Sequence, residues 1–181
     1  MILKVKENLE LRTLIPENGE EVFNVIDKNR KYLRKWLPWL DSTKSPDNVK
    51  ETIEKWQKEL ENKIDYVFGI FLDGNYVGNI SVHDVDKNNN SAMIGYWLAA
   101  DYQGRGIMTE CVRTLVNFCF HEIDLNRVYI YCAFGNNKSR AIPERLGFVH
   151  EGILQESECL CGVYHDLVVY GIVKRNWKNI K

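Results

Sequence analysis

Two hydrophobic periods run along the chain, and the switches between them mark its elements. Leu9, Leu11 and Thr13-Leu14 predict a first strand. Pro16 opens a helix to about Lys28, with Val22, Phe23, Val25 and Ile26 as its apolar stripe. A second short helix is expected around Tyr32, Leu33, Trp36, Leu37 and Leu40. Ser45-Pro46-Asp47 reads as a cap with proline at the first helical position. The helix it starts reaches about Lys63 and carries Val49, Ile53, Trp56 and Leu60. A meander follows. Tyr66–Leu72 and Tyr76–His83 flank the turn Asp73-Gly74, and Ala92–Leu98 comes after the polar loop Lys87-Asn88-Asn89-Asn90. A helix from about Gly106 to His121, a strand Arg127–Ala133 and a short helix Lys138–Leu146 come next. Strands Phe148–Cys159 and Val163–Lys174 meet near Cys161-Gly162 and complete the pattern. The order predicts an α/β (α+β) fold with a mixed sheet, unlike a doubly wound one.

Composition narrows the function. At 181 residues the chain fits a single domain over 1–181. Lys plus Arg is 24 and Asp plus Glu is 25, a net charge of −1, which excludes a globally basic nucleic-acid coat. No direct nucleic-acid partner is expected. The apolar runs fall short of a membrane span, and Met1–Glu7 lacks the apolar stretch of a signal peptide. A cytoplasmic protein with no membrane partner is expected. The five cysteines are Cys111, Cys119, Cys132, Cys159 and Cys161. They read as reduced structural thiols, since Cys159-x-Cys161 has neither zinc-knuckle spacing nor a second half. The four histidines, 83, 121, 150 and 165, are scattered, so no metal site is expected.

The chemistry concentrates where the strand ending Tyr96-Trp97-Leu98 runs through Gln103-Gly104-Arg105-Gly106 into Ile107-Met108-Thr109. The first turn of a helix has unpaired N–H groups and a partial positive charge. Glycines before it let the backbone approach an anion, so the segment is suited to a phosphate or pyrophosphate. It is neither a Walker A loop nor GxGxxG. A plain strand-to-helix turn is the alternative.

Four motifs in order change that balance. Gln103-x-x-Gly106 resembles the acetyl-CoA loop of the GNAT N-acetyltransferases. Asn136-Asn137-Lys138-Ser139 through Leu146-Gly147-Phe148 resembles that family's Asn-x-x-Ser…Leu-Gly-Phe segment. Trp36-Leu37-Pro38-Trp39 and Ile94-Gly95-Tyr96-Trp97-Leu98 resemble the RimJ/RimL branch, which acetylates ribosomal-protein N-termini. The resemblance spans Leu9 to about Val173. It implies a GNAT fold, a mostly antiparallel sheet of about seven strands with helices on both faces. It implies acetyl-CoA as co-substrate, no metal, direct attack in a ternary complex, and a homodimer or higher homo-oligomer. Trp97, Leu98, Gln103, Gly104, Arg105, Gly106, Ile107, Met108, Thr109, Asn136, Ser139 and Arg140 are then the cofactor-binding residues. Two departures stand out. Met108 replaces the final small residue of the loop, and Pro143 stands where many GNAT enzymes carry a tyrosine acid.

For catalysis the resemblance points to Ser139, Asn136 and Glu158. Ser139 is read either as a hydrogen-bond donor to the leaving thiolate or as a helix N-cap, and Asn136 as a contact or a turn residue. Glu158 is the candidate base, with Glu151, Glu156 and His165 as competitors. Trp36, Trp39 and His83, with neighbouring Asp84, are candidates for the acceptor side. The basic run Lys28, Arg30, Lys31, Arg34, Lys35 is either a solvated helix face or a docking patch for a ribosomal surface or acidic protein.

Energetics favour an α-amine acceptor. Neutralising a lysine at pH 7.5 costs about 4 kcal/mol, and an α-amine well under about 1 kcal/mol. One weak base therefore suits a protein N-terminus. An acetyltransferase for small amines, such as polyamines, amino acids or aminoglycosides, is the alternative and would be marked by acidic acceptor residues. A CoA-binding, ribosome-associated module without turnover is the third reading, and Met108 and Pro143 are its support.

Overall fold

The computed structural model describes residues 1–160 and 162–178, so Cys161 lies outside the described residues. Among the described residues eight strands form one sheet: β1 (Ile2–Lys6), β2 (Leu9–Arg12), β3 (Tyr66–Leu72), β4 (Asn75–Asp86), β5 (Ser91–Leu98), β6 (Arg127–Ala133), β7 (Val149–Leu160) and β8 (Val163–Val173). Their spatial order is β1-β2-β3-β4-β5-β6-β8-β7, and only β5 and β6 run parallel. The helices are α1 (Gly19–Leu33), α2 (Pro46–Glu61), α3 (Ile107–His121) and α4 (Asn137–Arg145). This is the expected mixed α/β sheet, with one strand more than the predicted seven. β1 escaped prediction because it is short and places no fully buried side chain.

Period-two alternation directs the strands' apolar residues to two cores. Leu11, Phe68, Ile80, Ile94, Val128 and Ile130 pack with α3 and α4 on one face. Phe71, Tyr76 and Trp97 pack with α1 and α2 on the other. The two helices expected near residues 16–40 are not separate. A 3-10 turn over Pro16–Asn18 leads into α1, which runs on through the basic stretch to Leu33, and a second 3-10 turn covers Pro38–Asp41. Val22, Ile26 and Leu33 keep one buried stripe, while the intervening charges face water. Cys111, Cys119 and Cys132 are buried, whereas Cys159 is exposed and packs in no core.

β5 and β6 pair only at Ser91–Arg127, Ala92–Val128 and Met93–Tyr129. Both strands continue, β5 to Leu98 and β6 to Ala133, without pairing each other there. The sheet therefore opens into a V whose inner edge on β5 offers backbone groups to a ligand.

Candidate active site

Two cavities meet at the opening of the V. The first, a cleft of about 760 Å³, lies along the end of β5, the loop after it and the start of α3. The second, about 700 Å³, lies between Trp36, Trp39 and Trp56 on one side and β4, β5 and the β7–β8 hairpin on the other. Trp36, Leu37, Tyr96, Trp97, Asn136 and Ser139 line both.

The first cleft is built from main chain. Gly104 and Gly106 take φ of +73° and +75°, in the left-handed region that side-chain-bearing residues disfavour. A Cβ at either would meet open space, so the glycines answer a conformational demand rather than a steric one. Gly106 is the N-cap of α3 and no side chain caps it, which leaves the first-turn N–H groups at the positive end of the helix dipole. Trp97, Leu98, Gln103, Ile107, Met108 and Thr109 line this cleft together with the glycines. Gln103 is held by its own bonds. Its amide donates to the Tyr32 hydroxyl and to the Leu98 carbonyl, and it accepts from Lys138 Nζ at 3.1 Å.

Two predicted cofactor residues do not line it. Arg105 turns back to the Asp101 carbonyl at 2.7 Å and packs on the Tyr102 ring. Arg140 donates to the Tyr170 hydroxyl and the Phe134 carbonyl on the other side of α4. The cations at the cleft are instead Lys138 and Arg145, and Arg145 donates to Thr109 Oγ1 at 3.3 Å. Both stand in the same motif segment as Arg140, and only the winding of α4 decides that Lys138 and Arg145, and not Arg140, face the cleft.

The second cavity is built from side chains of distant segments. His83, Trp39, Glu158 and, unpredicted, Asp65 and Tyr131 line it. Gly95 makes room for the imidazole, since a Cβ there would stand 2.8 Å from His83 Nε2. Glu158 sits just beyond an irregularity in β7, where four steps from Leu154 oppose two on β8 from Leu167 to His165. Such a bulge re-aims the following side chains. Burial raises the Glu158 carboxyl above its ordinary range, and the facing His165 offsets part of this. Burial also raises Asp65, helped by Glu59 and partly offset by His83.

Two of the competing bases, Glu151 and Glu156, are placed elsewhere, while His165 faces Glu158 across the β7–β8 ladder. Glu151 pairs with the two terminal guanidinium nitrogens of Arg127 at 2.5 Å, which lowers its carboxyl, and Glu156 is exposed on the bulge. In the basic run, Lys28 pairs with Asp101 at 3.0 Å, Arg34 with Asp41 at 2.9 Å, and Arg30 ties down the Leu40 and Thr43 carbonyls. That is a helix face spent largely on its own chain.

At the junction, Asn136 caps α4 by accepting from the Ser139 N–H at 3.3 Å. Ser139 is therefore not the N-cap, and its hydroxyl is left for other partners. Its Oγ stands 3.3 Å from the Tyr96 hydroxyl and 3.2 Å from Cys132 Sγ. In the sequence Tyr96 stood in the Ile94–Leu98 motif with no role of its own. Among the described residues no group of three or more His, Cys, Asp or Glu could hold a metal ion, and no helix is long and apolar enough to cross a membrane.

The family model of the acetyltransferase (GNAT) domain matches residues 8–149. The chain belongs to the GNAT acetyltransferase family. This acetyltransferase is 40% identical over 179 residues, 98% of either chain, to YdaF of Bacillus subtilis, which carries the name of a putative ribosomal N-acetyltransferase. It is 29% identical over 168 residues to the ribosomal-protein-serine acetyltransferase of Escherichia coli, covering 93% of this chain and 94% of that one. Its fold matches RimL, a ribosomal L7/L12 alpha-N-protein acetyltransferase solved with coenzyme A. The TM-score is 0.92 and the identity 27%, over 96% of this acetyltransferase and 98% of RimL.

Proposed function

We propose that the chain acts as one cytoplasmic GNAT domain that moves the acetyl group of acetyl-CoA to the N-terminal α-amine of a protein, a ribosomal protein in the first instance. The observation that carries this reading is the meeting of a main-chain anion cleft with a carboxylate-bearing cavity at Ser139. The relatives' names supply the substrate class.

Acetyl-CoA supplies the acetyl group as an activated thioester. The first-turn N–H groups of α3, with Lys138 and Arg145, hold the anionic end of the ligand. The unpaired edge of β5 beyond Met93 takes its extended arm. Glu158 accepts the proton of the acceptor ammonium, a role for which its raised pKa suits it. As the amine nitrogen bonds to the acyl carbon, the sulfur leaves with the C–S electron pair and takes up the second proton that the nitrogen sheds, so the products are the amide and the free CoA thiol. The Ser139 hydroxyl donates a hydrogen bond to that sulfur, and Asn136 fixes the turn that presents it. Trp36, Trp39 and Trp56 give the acceptor cavity a wide aromatic wall suited to a peptide. Holding both substrates at one junction supplies much of the rate.

Asp65 favours a second reading. Two carboxylates in the acceptor cavity also suit a small polyamine. Thiol release from acetyl-CoA separates the two, using free α-amine peptides, Nα-blocked lysine peptides and polyamines. Release with free α-amines supports the N-terminal reading, and release with polyamines alone overturns it.

The implied homo-oligomer finds support at the sheet edge. Among the described residues β7 pairs on one side only, and Ile153, Leu154 and Tyr164 of the β7–β8 hairpin are exposed. Light scattering of the purified chain at twice the monomer mass is the expected result.

A further inference from the structure

In an α-helix the carbonyl of residue i accepts from the N–H of residue i+4. For Ser139 that residue is Pro143, inside α4, which has no N–H and whose ring crowds the same carbonyl. Pro143 is buried and Ser139 half-buried, and the freed carbonyl takes its donor from the protein. The Tyr96 hydroxyl reaches across from β5 and donates to the Ser139 carbonyl at 3.0 Å. The same hydroxyl oxygen lies 3.3 Å from Ser139 Oγ and accepts its proton in the resting arrangement. One phenol thus grips Ser139 by main chain and side chain together.

We infer that Tyr96 is the positioning residue for Ser139, taking up the carbonyl that Pro143 leaves without its helical donor and setting where the serine hydroxyl points. The inference rests on the reading of Ser139 given above. It turns the departure at 143 into part of the site. Proline there abolishes a helical bond, and that frees the carbonyl to be tied to the inner edge of the V. Burial keeps the phenol protonated, well above the ordinary tyrosine range, so it stays a donor at all working pH values. The Asn136 cap holds the Ser139 N–H, so the residue is fixed at its amide, carbonyl and hydroxyl.

The test is a set of variants that separates fold from chemistry. Tyr96→Phe is expected to lower kcat at least tenfold with the Kd for acetyl-CoA changed less than threefold, and to lower Tm by several degrees. Adding Pro143→Ala supplies an N–H to the orphaned carbonyl. The double variant is expected to recover the Tm and not the kcat. On a Ser139→Ala background, Tyr96→Phe is expected to cost no further kcat, since residues acting as a unit are not additive. A refolded Tyr96→Phe/Pro143→Ala enzyme with full kcat overturns the positioning role. Losses that multiply between positions 96 and 139 overturn it as well. Failure of Pro143→Ala to recover Tm overturns the carbonyl pairing. Full kcat in Ser139→Ala overturns the underlying reading of Ser139 instead, and the Tm rescue then still decides the pairing by itself.

Discussion

The two cavities that share Ser139 are made of different materials. The cofactor cleft is built around one contiguous stretch, Trp97 to Thr109, whose useful groups are backbone N–H dipoles held by two left-handed glycines, with Lys138 and Arg145 of α4 beside it. The acceptor cavity gathers Trp36, Asp65, His83, Tyr131 and Glu158 from across the chain, and its useful groups are side chains. A backbone site tolerates most substitutions but not a changed φ. A side-chain site is remade by single replacements while the fold stands. Specificity for the acceptor can therefore drift in this architecture while the acyl donor stays constant.

The largest effect that separates the cavities belongs to Glu158. Glu158→Gln is expected to lower kcat/KM for a peptide acceptor on the order of a hundredfold or more, with acetyl-CoA affinity unchanged by calorimetry. Its pH profile gives the sign. Burial raises the folded-state pKa, so the wild-type rate falls as pH drops through a value above the ordinary carboxylate range, and the Gln variant lacks that acid limb. For stability the raised carboxyl works the other way. The folded state holds the proton more tightly than the unfolded state, so this contribution is full below the unfolded pKa and is lost as pH rises through the folded one. Thermal unfolding is expected to show Glu158→Gln gaining on the wild type as pH rises through that window.

Gly106→Val should act on the other cavity alone. A β-branched residue at φ of +75° carries strain of about 1–3 kcal/mol. Acetyl-CoA affinity is expected to fall roughly tenfold to a hundredfold, with the acceptor KM little changed. A variant that instead alters acceptor preference would erase the division between the cavities. Lys138→Ala and Arg145→Ala come next, each weakening acetyl-CoA about three- to tenfold, less at high salt. The smallest effect is expected of Arg105→Ala and Arg140→Ala, whose guanidinium groups turn to carbonyls elsewhere. Their affinities should lie within about twofold of wild type, and a large loss in either would mean that these arginines swing into the cleft on binding.

The same division explains what was legible in the sequence. A backbone site must write itself as a run of neighbours, so Gln103-x-x-Gly106 between a strand and a helix marked the cleft. Strand alternation placed β3, β6 and the Asp73-Gly74 turn closely. Asp65 and Tyr131 gave no such signal, because nothing local relates them to Glu158. They meet only once β3, β6 and the β7–β8 hairpin are assembled. Arg105 and Arg140 misled for the opposite reason. They stand next to the motifs in sequence, yet the loop turn and the helix face direct them to Asp101 and Tyr170. The basic run split α1 in two because its charges mask the buried stripe that continues to Leu33. Of the two readings of Ser139, the capping one fails, since Asn136 three residues earlier takes the cap. Tyr96 lay in plain view within a recognised motif. Its role depends on a proline 47 positions on, and only the fold brings the two to the same carbonyl.

If the junction at Ser139 delivers acetyl groups to protein α-amines, the product itself must show it. Intact-mass spectrometry of ribosomal proteins incubated with the enzyme and isotope-labelled acetyl-CoA reads that product. The expected result is a single labelled acetyl group on a ribosomal protein, located by fragmentation at its N-terminal residue. Label confined to lysine side chains, or ribosomal proteins left unlabelled while an added polyamine is acetylated, would refute delivery to α-amines.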